Sequence, residues 1–166
     1  MNKNIILCGF MGSGKTACGT ALAKELGLDF VDLDTYIEKA EGLTVSEIFA
    51  RFGEEYFRSL ETKAATDLGA QSGKVIALGG GTVLRKENLL PLKLGGIIFY
   101  LDVTGEKVLE RLKNDTTRPL LKENKEQTVF DLLKSREPFY KAAADYIIDA
   151  NGSVDDTVNQ ILEYIK

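Results

Sequence analysis

The chain contains no histidine. That absence removes the imidazole on which Ser-His-Asp hydrolases depend, together with His-ligated metal centres and so most zinc enzymes. Cysteine is almost as scarce. Cys8 and Cys18 fall on the predicted first strand and first helix, where packing explains them better than a disulfide or a metal pair. Positive charge is not in excess either: 21 Lys and Arg stand against 25 Asp and Glu, a net charge of −4. Without a basic excess to neutralise phosphates in bulk, neither nucleic acid nor an anionic membrane is an expected partner. No apolar run approaches the roughly 20 residues of a membrane span. Met1-Asn2-Lys3-Asn4 leads directly into the first strand pattern, so no signal peptide is expected and a cytoplasmic location follows as the default. Internal repeats and low-complexity tracts are also missing.

What is present is a chain of 166 residues, 44% hydrophobic and 28% charged, ordinary values for one soluble domain with a real core. Apolar strand candidates at 5–8, 29–32, 75–78, 97–101 and 146–148 alternate with helical patterns at 16–26, 35–40, 45–52, 54–70, 86–92, 105–113, 128–144 and 154–165. Such alternation predicts a parallel sheet covered by helices on both faces, with ligands at the carboxyl ends of the strands. Local chemistry marks several helix ends. Thr44-Val45-Ser46-Glu47 fits a capping box, Ser153 with Asp156 fits a weaker one, Gly27 is a natural stop, and Asp34 is placed to cap a helix beginning at Thr35. The polar segment 114–127, broken by Arg118-Pro119, reads as a mobile loop because a residue before proline is pushed out of the helical region.

Gly9-Phe10-Met11-Gly12-Ser13-Gly14-Lys15-Thr16 fits the phosphate-binding pattern G-x-x-x-x-G-K-[ST] without substitution. It lies between a predicted strand and a predicted helix, the context that points backbone N–H groups at a phosphate chain. In that reading Lys15 reaches the β- and γ-phosphates and the Thr16 hydroxyl binds Mg²⁺. Asp32 and Asp34 close the second strand pattern. Two carboxylates on one face of an extended strand repel unless a cation or a donor separates them. Mg²⁺ at one and a substrate hydroxyl at the other satisfies that need; a strand-end aspartate followed by a helix cap satisfies it equally. Gly79-Gly80-Gly81 costs backbone entropy that a tight turn does not require three times over, so a ligand against bare N–H groups is expected. Arg58 and Arg136 are each, singly, ordinary surface charges, yet arginine is the side chain suited to bidentate carboxylate binding.

The phosphate loop, Asp32-Leu33-Asp34, Phe57-Arg58, Gly79-Gly80-Gly81, Arg118-Pro119-Leu120-Leu121 and Arg136…Tyr140, in this order, resemble shikimate kinase over almost the whole chain. The resemblance implies an α/β, P-loop, nucleoside-monophosphate-kinase-like fold: a five-stranded parallel sheet, a substrate-binding insertion and a mobile lid. It implies one kinase domain over 1–166, with the phosphate loop at 9–16, a substrate region at 33–61 and the lid at 114–127. The implied reaction is transfer of the ATP γ-phosphate to the 3-hydroxyl of shikimate, by a monomer, in chorismate and aromatic amino-acid biosynthesis. The implied catalytic residues are Lys15, Asp34 and Arg118. ATP would meet Gly12, Ser13, Gly14, Lys15, Thr16, Ala17, Arg111 and Arg118, with an adenine loop at Asn151 to Ser153. Shikimate would meet Asp34, Arg58, Gly79, Gly80, Gly81 and Arg136, in a pocket lined by Phe49 and Phe57. Thr16 and Asp32 would hold Mg²⁺.

Three other readings stay open at this level. A gluconate kinase-like enzyme would share the loop and the lid but has no use for two arginines with a triple glycine. A GTPase switch is suggested by Asp102-Val103-Thr104-Gly105 and Asp149-Ala150-Asn151-Gly152, but no Asn-Lys-x-Asp follows, since Asn124-Lys125 precedes Glu126-Gln127. A catalytically dead nucleotide-binding protein is the third, against which the intact Lys15, Asp34 and Arg118 argue.

Overall fold

In the computed structural model, residues 3–113 and 125–165 are described, with Lys125 described by its backbone alone. The first strand, Asn4–Cys8 (β1), is buried at every position. A strand buried along its whole length belongs in the middle of a sheet covered on both faces, and β1 lies there. The other strands are Asp29–Asp32 (β2), Lys74–Ala77 (β3), Gly96–Asp102 (β4) and Tyr146–Asp149 (β5). Their order is β2-β3-β1-β4-β5, all parallel, with Ile6 paired to Ile76 on one side and to Ile98 on the other. The chain builds one half of the sheet and then crosses β1 to build the other. The carboxyl end of β1 is therefore the switch point where ligands of open α/β sheets bind.

The helices are Lys15–Leu26 (α1), Leu33–Glu41 (α2), Val45–Phe52 (α3), Glu54–Gly69 (α4), Lys86–Gly95 (α5), Gly105–Arg111 (α6), Lys125–Ala143 (α7) and Val154–Ile165 (α8), with a 3-10 turn at Thr82–Leu84. α1 packs on β3 and α8. α4, α5 and α7 gather around the 3-10 turn, and α5 and α7 pack on β4. The start of β1 is tied to the α4–β3 connection by Asn4, which is fully buried and fully used. Its amide donates to the Leu68 and Gln71 carbonyls at 3.3 and 2.9 Å, and its Oδ1 accepts from the Lys74 N–H at 3.0 Å. Cys8 and Cys18 are free and buried. Burial pushes the Cys8 thiol up to about 12, which leaves it an unreactive packing group.

The predicted capping boxes form: Thr44 and Glu47 exchange both bonds, as do Ser153 and Asp156. Gly27 ends α1 in the left-handed conformation. One cap differs from expectation. The helix expected from Thr35 begins at Leu33, and its cap is Asp32, whose Oδ1 accepts from the Thr35 N–H at 3.1 Å. Asp34 is in the first turn instead. Beginning the helix at Leu33 places Leu33 and Ile37 four residues apart on one face, and both are buried. The last residue of β2 already has the extended backbone that a cap requires.

Candidate active site

The phosphate loop leaves the buried end of β1 and turns three times through glycine. Gly9, Gly12 and Gly14 have φ of 154°, 80° and 92°, values that residues with a Cβ rarely adopt. The Ser13 N–H donates to the Phe10 carbonyl at 3.1 Å and closes the loop. α1 then starts with no side-chain cap and no acidic residue in its first turn. Its positive end is left for an anion from outside the protein. The Lys15 ammonium donates to the Gly9 and Phe10 carbonyls at 2.5 and 3.2 Å, which keeps a cation over the loop.

Asp32 and Asp34 divide their roles through the helix start. Asp32 offers Oδ1 to the cap, while its Oδ2 accepts from the Thr16 hydroxyl at 3.4 Å. Asp34 is half-buried, and its Oδ1 is a buried oxygen without a partner among the described residues. Burial first, then the charges of Asp32 and Glu61, push its carboxyl up to about 6 against the pull of Lys15. An unpartnered buried oxygen calls for a donor, and a carboxylate with a raised pKa is a stronger base than usual.

The triple glycine answers to space. A Cβ on Gly79 would lie 2.9 Å from Asp34 Oδ1, one on Gly80 would lie 3.1 Å from Arg136 Nη1, and one on Gly81 would lie 2.8 Å from Arg58 Nη1. The side chains singled out as functional are stacked on bare backbone, each over its own glycine. A ligand against the backbone was the expected reason for glycine; the protein's own charged groups supply a further one.

The two arginines are held differently. Arg58 Nη1 donates to Glu61 Oε1 at 2.6 Å, Glu54 lies 3.5 Å away, and the Phe57 ring lies beneath at 5.5 Å. Glu61 is 1% exposed, and its other oxygen accepts from the Thr82 hydroxyl at 2.9 Å. The Arg136 guanidinium lies 6.0 Å from the Phe10 ring. Phe49 packs on Phe57 with centroids 4.9 Å apart and completes an aromatic wall.

One cleft of about 470 Å³ joins these parts, running from the phosphate loop and Ala17 past Asp32 and Asp34 to Phe49, Phe57, Arg58, the glycines and Arg136. Arg111 lies outside it. It straps the phosphate loop to the 150–152 turn, donating to the carbonyls of Gly12 at 3.0 Å, Ala150 at 2.6 Å and Gly152 at 3.1 Å. Arg118 and most of the segment 114–127 lie outside the described residues, and α7 begins at Lys125 within that segment. Asp102 closes β4 and Thr104 caps α6, so the first D-x-x-G match is a strand end and a helix cap. Sequence reasoning missed Glu61, Thr82 and the role of Tyr140. The spacing of Arg58 and Glu61, three apart on one predicted helix, was the available signal.

Comparison with known proteins places this cleft in context. The family model described as shikimate kinase matches residues 11–166. A shikimate kinase from Thermodesulfovibrio yellowstonii is 48% identical over 165 residues, spanning 98% of this chain and 95% of that protein. One from Geobacter sulfurreducens is 43% identical over 166 residues, spanning 99% and 91%. Among solved structures, shikimate kinase from Acinetobacter baumannii in complex with shikimate superposes with a TM-score of 0.92 at 42% identity, covering 98% of this chain and 92% of that one. Shikimate kinase from Aquifex aeolicus superposes with a TM-score of 0.86 at 35% identity, covering 98% and 95%.

Proposed function

The chain belongs to the shikimate kinase family, and on that premise we propose how its cleft divides the work of moving the ATP γ-phosphate to the 3-hydroxyl of shikimate. The products are shikimate 3-phosphate and ADP, on the route to chorismate and the aromatic amino acids. The family match favours this activity over a gluconate kinase-like enzyme or a non-catalytic switch. The observation that carries the assignment of roles is Asp34: a carboxyl with a raised pKa and an unpartnered buried oxygen, on a cleft lined by the phosphate loop at one end and two arginines at the other.

Arg58 and Arg136 bind the shikimate carboxylate, for which a guanidinium offers paired donors. N–H groups of Gly80 and Gly81 meet the polar edge of the ring, and Phe49 and Phe57 cover its apolar side. Asp34 accepts a hydrogen bond from the 3-hydroxyl and fixes the attacking oxygen. As the bond from that oxygen to the γ-phosphorus forms and the bond to the β,γ-bridging oxygen breaks, the hydroxyl proton passes to Asp34 and the electron pair leaves on ADP. Lys15 and the N–H groups from Gly12 to Ala17 stabilise charge on the phosphates. Such positioning and charge stabilisation is most of phosphoryl-transfer catalysis. Arg118, outside the described residues, is assigned from the sequence to the same phosphates as part of a lid at 114–127.

Thr16 and Asp32 present hydroxyl and carboxylate oxygens 3.4 Å apart beside the phosphate loop. An all-oxygen set of so few protein ligands suits Mg²⁺, which takes its remaining ligands from phosphate and water. When bound, Mg²⁺ neutralises phosphate charge. Arg111 orders the 150–152 turn against the loop, which supports an adenine site there. A monomer acting in the cytoplasm, where ATP is supplied, completes the proposal. ADP release from Mg²⁺–ATP by the purified chain tests it, with shikimate, gluconate and nucleoside monophosphates as acceptors. Stimulation by shikimate alone is expected. Stimulation by another acceptor would overturn the acceptor assignment.

A further inference from the structure

Tyr140 is fully buried and lies on α7 one turn after Arg136. Its ring stacks on Tyr100, with centroids 5.2 Å apart and planes inclined by 27°. That packing fixes where the phenol oxygen lies. A phenol has one proton to donate, and here it is given to a group of the acceptor pocket. The hydroxyl donates to the Gly80 carbonyl at 2.7 Å.

That bond has a consequence for the substrate. The peptide from Gly80 to Gly81 is trans, so its N–H points opposite to its C=O. Holding the Gly80 carbonyl against Tyr140 turns the Gly81 N–H away from Tyr140, and no side chain on either glycine restrains that peptide.

Resting on the acceptor assignment above, we propose that Tyr140 is a positioning residue for shikimate, its phenol oxygen aiming the Gly81 N–H through the Gly80 carbonyl. Burial pushes this phenol up to about 12, so it stays a donor throughout the working pH range.

Steady-state kinetics of the full chain carrying Tyr140→Phe test this, because that variant keeps the ring and its stack and removes one atom. The KM for shikimate rises roughly fivefold, the scale of one neutral hydrogen bond lost, while the KM for ATP and the melting temperature stay near those of the wild type. Tyr100→Phe keeps the same stack and touches no group of the acceptor pocket, and leaves both KM values unchanged. An unchanged KM for shikimate would overturn the proposal. So would a loss of folding, or a parallel rise in both KM values, since either would make the hydroxyl a structural group. A wild-type chain that does not phosphorylate shikimate would instead overturn the acceptor assignment, so the two failures are distinguishable.

Discussion

The two ends of the cleft are built in opposite ways. The nucleotide end is one continuous stretch, Gly9 to Ala17, and its main instrument is backbone: three positive-φ glycines and an uncapped helix start. The acceptor end is assembled from α2, α4, the glycine run and α7, residues about a hundred positions apart, and its instruments are side chains stacked on bare glycine. A phosphate chain is the same in every nucleotide, so a fixed backbone cradle serves it. A ring with one carboxylate and particular hydroxyls needs donors and acceptors set individually, which only side chains brought together by the fold can supply.

Substitutions that act at one end alone sharpen this contrast. The largest effect is expected at the junction. Asp34→Asn lowers kcat by about 10³, the middle of the range for a lost general base, with shikimate and ATP still bound; kcat near wild type would remove Asp34 from the chemistry. Lys15→Met follows, with a loss of roughly 10² in kcat/KM for ATP as charge stabilisation at the phosphates goes, and calorimetric shikimate binding unchanged. A matching loss of shikimate affinity would mean that the two ends are not independent.

Smaller effects separate the two arginines. Arg58→Ala leaves Glu61, 1% exposed, without its cation, so stability falls by about 3 kcal/mol as for a broken buried pair, alongside weaker shikimate binding. Arg136 lies against the Phe10 ring and not on a buried carboxylate, and Arg136→Ala leaves the melting temperature close to wild type. Equal melting temperatures for the two variants would contradict the difference in how they are held.

The raised pKa of Asp34 gives the last pair of effects. Activity falls as pH drops through about 6, because the protonated carboxyl cannot take the hydroxyl proton. Stability runs the other way. Between the ordinary value of 3.8 and about 6 the folded state binds more protons than the unfolded chain, so this group's contribution to stability falls as pH rises through that window. Asp34→Asn is therefore more stable than wild type at pH 7, by about 1–3 kcal/mol, and the gain disappears towards pH 4. A pH-independent difference in urea midpoints would refute the buried, charge-crowded environment assigned to this residue.

The same contrast explains what the sequence made legible. Five strands, the phosphate loop and both capping boxes depend on neighbours within a few residues, and their signals are local. The helix start at Leu33 was misplaced because burial of Leu33 and Ile37, a tertiary fact, chose Asp32 as the cap. Asp34, Arg58 and Arg136 were found, and their glycine platforms were noticed with a different reason attached. Glu61 left one local signal, Arg58 three residues away, but Thr82 and Tyr140 were missed because each meets its partner far off in sequence, across 21 residues for Thr82 and Glu61 and 60 for Tyr140 and the Gly80 carbonyl. Such a partnership leaves no spacing pattern to read.

The most direct test of the divided cleft is calorimetric titration of Arg136→Ala with shikimate and, separately, with Mg²⁺–ATP. The account predicts a loss of roughly 10² in shikimate affinity, the scale for removing one partner of a buried charged pair, with nucleotide affinity unchanged. Loss of nucleotide affinity with shikimate binding intact would place Arg136 at the wrong end and contradict the account.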